Sequence, residues 1–228
     1  VIPAGAAIKI GSNAPLETVC LVGCGVTTGV GAAINTAKVH KGSSVAVIGC
    51  GGVGLSIIQG ARINGATTII AVDPMPEKRA LAMQLGATHG VDPFDADGPI
   101  KGVKAITGGQ GVAAVLDMVG GDYVPRNLQC LAEDGRHVSI ATLGGAKAEI
   151  FIPAIMQRRL TLTGSTLRAR SAGFKSLVAD ELMRTVWGFV GEGKLRPAMD
   201  QRFALADAAK AHARKDAGEH FGKIVLVV

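Results

Sequence analysis

Aromatic residues are scarce in this chain: one Trp, one Tyr and six Phe among 228 residues. That scarcity argues against the stacked aromatic platforms on which single-stranded nucleic acids are held. Charge of neither sign dominates, the formal net charge being +6. The densest basic stretch runs from Arg158-Arg159 through Arg168, Arg170 and Lys175 and has no interleaved aromatics. It reads first as solvated surface, second as help for an anionic cofactor, and nucleic acid is a distant third. No apolar run reaches the roughly 18–20 residues that a bilayer crossing requires, and no secretory leader pattern opens the chain. The four cysteines (Cys20, Cys24, Cys50, Cys130) lack the spacing of a disulfide framework, which points to reduced thiols in a cytoplasmic setting. Internal repeats and low-complexity linkers are absent. The chain opens on Val1 rather than Met, as after removal of a short leader or as a piece of something longer.

Glycine, by contrast, is plentiful. Its 32 residues are about twice the usual share of roughly 7 %, which fits a fold with many tight strand-to-helix turns. The most informative lie in residues 44–54, Ser-Val-Ala-Val-Ile-Gly-Cys-Gly-Gly-Val-Gly. A β-branched run ends there in G-x-G-x-x-G (Gly49, Gly51, Gly54) and passes into the helical pattern of Leu55–Arg62. Gly49 permits the turn, Gly51 lets backbone approach a pyrophosphate, and Gly54 lets helix and strand pack closely. Free N–H groups and the positive dipole end of the helix then face the phosphates. A second strand, Thr68–Val72, follows a turn at Asn64-Gly65 and ends on Asp73, 19 residues past Gly54. An acid at that place grips the adenosine ribose. Its carboxylate would repel a 2′-phosphate, and Pro74 rather than arginine follows it, so NAD is favoured over NADP. Lys78 and Arg79 read mainly as exposed helix charges.

Strand-like and helix-like stretches continue to alternate. Ala80–Leu85 reads as a helix stopped by Gly86, His89–Val91 as a minimal third strand, and Ala113–Val119 as a buried fourth. Asp122 caps a helix through Leu131, and Asp134-Gly135 turns into a fifth strand, Arg136–Ala141. Leu160–Thr163 alternates as an edge strand, and a long helix is expected over Ser171–Gly191. The plan is α/β: a doubly wound, Rossmann-type parallel sheet of six strands, with extra elements at both termini. The extra elements are an extended segment at Ala7–Ile10, a helix opening at Pro15-Leu16-Glu17, and strand, helix and strand over residues 200–228. The expected division is a dinucleotide-binding domain over 21–199, with 1–20 and 200–228 completing some other domain.

Over essentially its whole length the chain resembles the medium-chain dehydrogenase/reductase family. Cys20–Gly29, the Gly49–Gly54 fingerprint, Val72-Asp73 and Leu85-Gly86-Ala87-Thr88 are similar to the zinc alcohol dehydrogenase branch. Leu116–Gly121, Gly164–Arg168 and His220–Val225 are similar to the zinc-free quinone oxidoreductases. This suggests a chimera with a junction near residues 88–110. The resemblance implies that 1–20 and 200–228 are remnants of a catalytic domain whose larger, first part is missing. It places Thr28 near the nicotinamide, Val119 and Gly120 at the tip of the fourth strand, and Leu143 by the carboxamide. Gly49, Gly51, Gly52, Val53 and Gly54 bracket the pyrophosphate, Lys78 lies beside Asp73, and Arg168 and Lys223 are phosphate partners. Cys24 matches one catalytic zinc ligand, but its partners would lie in the missing part, and one thiolate cannot hold zinc alone, so no metal site is expected in this chain. Cys20, four residues earlier, reads as packing.

No acid-base constellation emerges from the remaining residues. His40, His89, His137, His212 and His220 are scattered; Tyr123 lacks a partner, Asp117 and Ser139 sit in strands, and Cys50 serves packing. Structural roles are assigned to all of them. Family members join two such edge strands across a two-fold axis, so a homodimer through Leu160–Ser165 is expected. Three readings stand open: a cofactor domain incomplete for catalysis alone, a self-contained carbonyl or quinone reductase, and a non-catalytic scaffold of engineered origin.

Overall fold

Ser44-Val45-Ala46-Val47-Ile48 forms β1, and every residue after Ser44 is buried. A continuous β-branched run of this kind suits a strand covered on both faces. The computed structural model describes residues 7–12, 14–95, 98–218 and 220–228. β2 (Thr68–Val72) repeats the pattern of β1, and β4 (Val112–Asp117) departs from it only at Ala113. With β3 (His89–Val91), β5 (Leu131–Ser139) and β6 (Thr161–Gly164) they make a six-stranded sheet in the order β3-β2-β1-β4-β5-β6. Every pairing in it is parallel. The order reverses between β1 and β4, and ligands of doubly wound sheets bind at that crevice, beyond the carboxyl ends of the strands.

Helices α3 (Gly52–Ile63), α4 (Pro76–Leu85), α5 (Gly98–Ile106), α6 (Tyr123–Cys130) and α7 (Ile152–Arg158) follow strands β1 to β5 in turn. Gly86, at φ +119°, closes α4 in the left-handed conformation, as its sequence predicts. Asp122 occupies the N-cap of α6, but its side chain makes no capping bond there. β5 begins at Leu131, earlier than expected, because the Asp134-Gly135 turn is accommodated inside the strand as a register shift against β4.

The chain divides into two compact units, Thr28–Ser165 and Val1–Thr27 with Thr166–Val228. In the other unit the expected helix over 171–191 is two helices, α8 (Ala172–Thr185) and α9 (Trp187–Gly191), broken at Val186 (φ −116°). β7 (Met199–Ala204) and β8 (Lys223–Val227) pair in parallel around α10 (Ala208–Asp216). The Arg214 guanidinium there grips the Asp200 carboxylate with bonds of 2.5 and 2.9 Å. Ala7–Ile10 forms no strand.

Residues Leu16–Thr36 are helical, comprising α1 (Leu16–Val19), α2 (Thr27–Gly31) and two π-helical stretches. Contrary to the sequence reading, this segment is long and apolar enough to cross a membrane, with a mean hydropathy of 1.5 over its best window. Its later part is committed to protein packing. A Cβ on Gly29 would lie 2.6 Å from the Ser56 Cβ, and one on Gly60 would lie 2.9 Å from the Val30 Cα. Two glycines thus bring this helix and α3 into backbone contact.

Candidate dinucleotide-binding site

The turn from β1 into α3 is built from glycines with different duties. Gly49 sits at φ +93°, where a side chain is strained, and its N–H donates to Val72 O at 2.8 Å. Gly54 has no room at all: a Cβ there would stand 1.9 Å from the Gly49 carbonyl oxygen. Gly51 is the opposite case, because a Cβ there would meet nothing within 4 Å. The ladder of α3 starts with the Leu55 N–H donating to Gly51 O at 2.9 Å. The amides of Gly52, Val53 and Gly54 therefore precede the ladder and project from the helix N-terminus, a ready anion cradle.

Asp73 lies at the tip of β2 and is 6 % exposed. Its Oδ2 accepts from the Cys50 N–H at 2.8 Å and its Oδ1 from the Met75 N–H at 2.9 Å. Each oxygen keeps a second lone pair, so the carboxylate is oriented by the backbone and can still accept from a hydroxyl. Lys78, half-buried, occupies the first turn of α4 behind it. Arg79 is committed elsewhere, to Asp92 Oδ2 at 3.0 Å and to the carbonyls of Asp73 and Pro74. Cys50 is buried. Burial, then the adjacent Asp73 charge, pushes its thiol up to about 12, which leaves it inert.

Beyond β4, Gly120 and Gly121 take positive φ of 70° and 55°. Here they face the loop after β5 closely: Val119 O accepts from the Gly144 N–H at 2.7 Å, and Gly120 bridges to Gly145. Leu143 stands 85 % exposed on that loop. Thr28 is half-buried beside Gly29, whose contact with Val53 and Ser56 ties it to the start of α3.

Arg168 belongs to the other compact unit, where it is exposed and its carbonyl accepts from Lys175 Nζ at 3.1 Å. Lys223 is in that unit too, its Cε 3.6 Å from where a Gly25 Cβ would be. Cys24 is exposed, and Cys20 donates its thiol to Glu17 O at 3.2 Å. Among the described residues no three His, Cys, Asp or Glu side chains gather to hold a metal ion. Among the described residues the donors around Cys24 are too few to hold zinc.

Sequence reasoning missed a buried cluster behind the Val119–Gly120 turn. Asp117 is fully buried at the end of β4. Its Oδ1 accepts from the Val119 N–H at 2.7 Å and the Gly120 N–H at 3.0 Å. Its Oδ2 accepts from Asn127 Nδ2 at 2.9 Å and faces His137 Nε2 at 3.3 Å. Burial works to raise the Asp117 pKa, but the bonds from His137 and the two amides outweigh it and hold the carboxyl below its ordinary value.

The strand order and phosphate-type turn define a dinucleotide-binding domain of the doubly wound class. The profile of the zinc-binding dehydrogenases matches residues 52–182, and the chain belongs to that family. It is 47 % identical over 143 residues to an S-(hydroxymethyl)glutathione dehydrogenase of Synechocystis, covering 62 % of this chain and 39 % of that protein. With the Paracoccus denitrificans protein of the same name it shares 31 % identity over 99 % of its length, covering 61 % of that relative. A single relative thus spans both halves of the chain. Solved structures agree. Benzyl alcohol dehydrogenase from Acinetobacter calcoaceticus superposes with TM-score 0.82 at 28 % identity, over 97 % of this chain and 59 % of that one. A quinone oxidoreductase from Pseudomonas syringae gives 0.83 at 28 %, over 100 % and 69 %. The chain therefore spans roughly two fifths to three fifths of the curated relatives it matches.

Proposed function

We propose that this chain is the NAD(H)-binding part of an alcohol dehydrogenase or quinone oxidoreductase-like enzyme, holding cofactor but turning over little by itself. One observation carries the reading: the space beyond Gly51 is open, while a Cβ at Gly54 would collide with the Gly49 carbonyl oxygen. Close packing and an open amide cradle are what a pyrophosphate at a helix N-terminus needs. Gly49, Gly51, Gly52, Val53 and Gly54 would bracket the diphosphate, and Asp73, with Lys78 beside it, the adenosine ribose. Thr28, Val119, Gly120 and Leu143 would line the nicotinamide end.

A bound nicotinamide would supply the hydride chemistry, and these residues would orient it. Asp73 is already fixed by two amides, and Arg79 is spent on Asp92, so the ribose end offers a carboxylate and not a free guanidinium. That favours NAD over NADP. The edge strand β6 would join a second copy across a two-fold axis, and the reduced thiols together with the packing of the later part of the Leu16–Thr36 helix on α3 fit a cytoplasmic protein. Segments 1–20 and 200–228 would be pieces of the catalytic domain. Titration with NADH and NADPH, followed by nicotinamide fluorescence, tests the reading. Saturable binding that is tighter for NADH is expected; no binding, or a preference for NADPH, would overturn it.

A further inference from the structure

The buried Asp117 cluster bears on the half of the site that the glycine fingerprint does not control. Its carboxylate sits among four donors from three elements: the Val119 and Gly120 amides after β4, Asn127 of α6, and His137 of β5. Asn127 and His137 are each 1 % exposed, so their bonds to Oδ2 lie away from solvent. The acceptor at Oδ2 calls for the proton of His137 on Nε2. One carboxylate oxygen thus holds the turn, and the other is pinned to the helix and strand on either side.

What the turn carries is the reason this matters. Val119 O accepts from the Gly144 N–H, and Gly120 bridges to Gly145, so the loop bearing Leu143 hangs on the same backbone. Gly120 cannot be stiffened by a side chain, since a Cβ there would lie 2.8 Å from Gly145 O. Two glycines in left-handed conformation make a pliant turn, and a buried carboxylate is the part that fixes it. The geometry points to Asp117 as a positioning residue: pinned by Asn127 and His137, it sets the Val119–Gly120 turn and the Leu143 loop against the nicotinamide end of the cofactor. It acts through the turn and touches no cofactor atom.

This assignment rests on the NAD(H) reading above, and the test separates the two. ADP-ribose carries the adenosine, diphosphate and second ribose but no nicotinamide, so it reports the Gly51–Gly54 and Asp73 end alone. In Asp117→Ala the turn loses its acceptor, and NADH affinity falls more than tenfold while ADP-ribose affinity changes less than twofold. Asp117→Asn keeps one oxygen for the two amides and can donate to the otherwise unpartnered Asn127 Oδ1; it restores NADH affinity to within threefold of the parent. Should Asp117→Ala fail to fold, Asn127→Leu, which removes one pin and leaves the backbone alone, weakens NADH about three- to tenfold with ADP-ribose unchanged. Equal losses for both ligands, or no loss of NADH, would overturn the positioning role. A parent chain that binds neither ligand removes the NAD(H) reading and this inference with it.

Discussion

Asp73 Oδ2 lies 2.8 Å from the Cys50 N–H, tying the acid at the tip of β2 to the turn that leaves β1. The residue expected to hold the ribose is also a brace between two strands. In Asp73→Ala, the buried Cys50 amide and the half-buried Met75 amide lose their acceptor, at a cost of about 1–3 kcal/mol. Urea denaturation measures that loss. The same variant no longer repels a 2′-phosphate, so the ratio of NADPH to NADH dissociation constants falls toward one.

Gly51 and Gly54 separate binding from folding. Gly51→Ala puts a methyl into open space at an ordinary φ of −77°, so stability changes by no more than about 0.5 kcal/mol. NADH affinity drops at least tenfold, because the methyl takes the pyrophosphate's place. Gly54→Ala forces a methyl onto Gly49 O and costs about 1–3 kcal/mol or more, with binding lost alongside. Thermal melts and NADH titrations of the pair distinguish the two.

Acid stability follows from two carboxylates. Burial works against ionised Asp117, yet the donors around it depress its pKa below 3.8. Asp200 is depressed chiefly by Arg214. A depressed folded pKa contributes stability that is complete above the unfolded value and is lost as pH falls through the folded one. Stability therefore declines below about pH 4, and Asp117→Asn shows a shallower decline there with no change of slope between pH 6 and 8. Urea midpoints across pH 2–8 give the comparison.

The edge of the sheet sets the assembly prediction. The Ser165 N–H donates to Ser139 O, and residues alternate sides along a parallel strand, so Leu162 turns its N–H away from β5. Leu162→Pro removes that outward donor and leaves the ladder to β5 in place. The parent chain is expected to sediment as a dimer and the variant as a monomer. A dimeric variant would exclude β6 as the joint.

Much of the nucleotide half is legible because it is contiguous. The run 44–54, the strand 68–72 and Asp73 state a strand, a turn and an acid within 30 residues, and β1, β2 and the Gly86 stop fall where periodicity puts them. Elements without such punctuation were harder. α5 opens on Gly98-Pro99 and α7 carries Pro153 near its start, breaker residues that obscure the short Ile100–Val103–Ile106 stripe by which α5 packs on the core. The long helix over 171–191 has no proline or internal breaker at Val186, where it divides. The Asp117 cluster was illegible for a different reason: its partners stand 10 and 20 residues away. Only the β4–β5 register, which sets His137 beside Val115, and the turn into α6 bring them together. An aspartate ending a buried strand before Gly120-Gly121 was the available signal.

The most direct measurement is glycine-selective 15N NMR of the chain titrated with NAD. The Gly51, Gly52 and Gly54 amides are expected to shift together, with Gly120 following at the same dissociation constant and Gly42 and Gly65 unmoved. Fingerprint amides that stay still at millimolar NAD would contradict the NAD(H) reading.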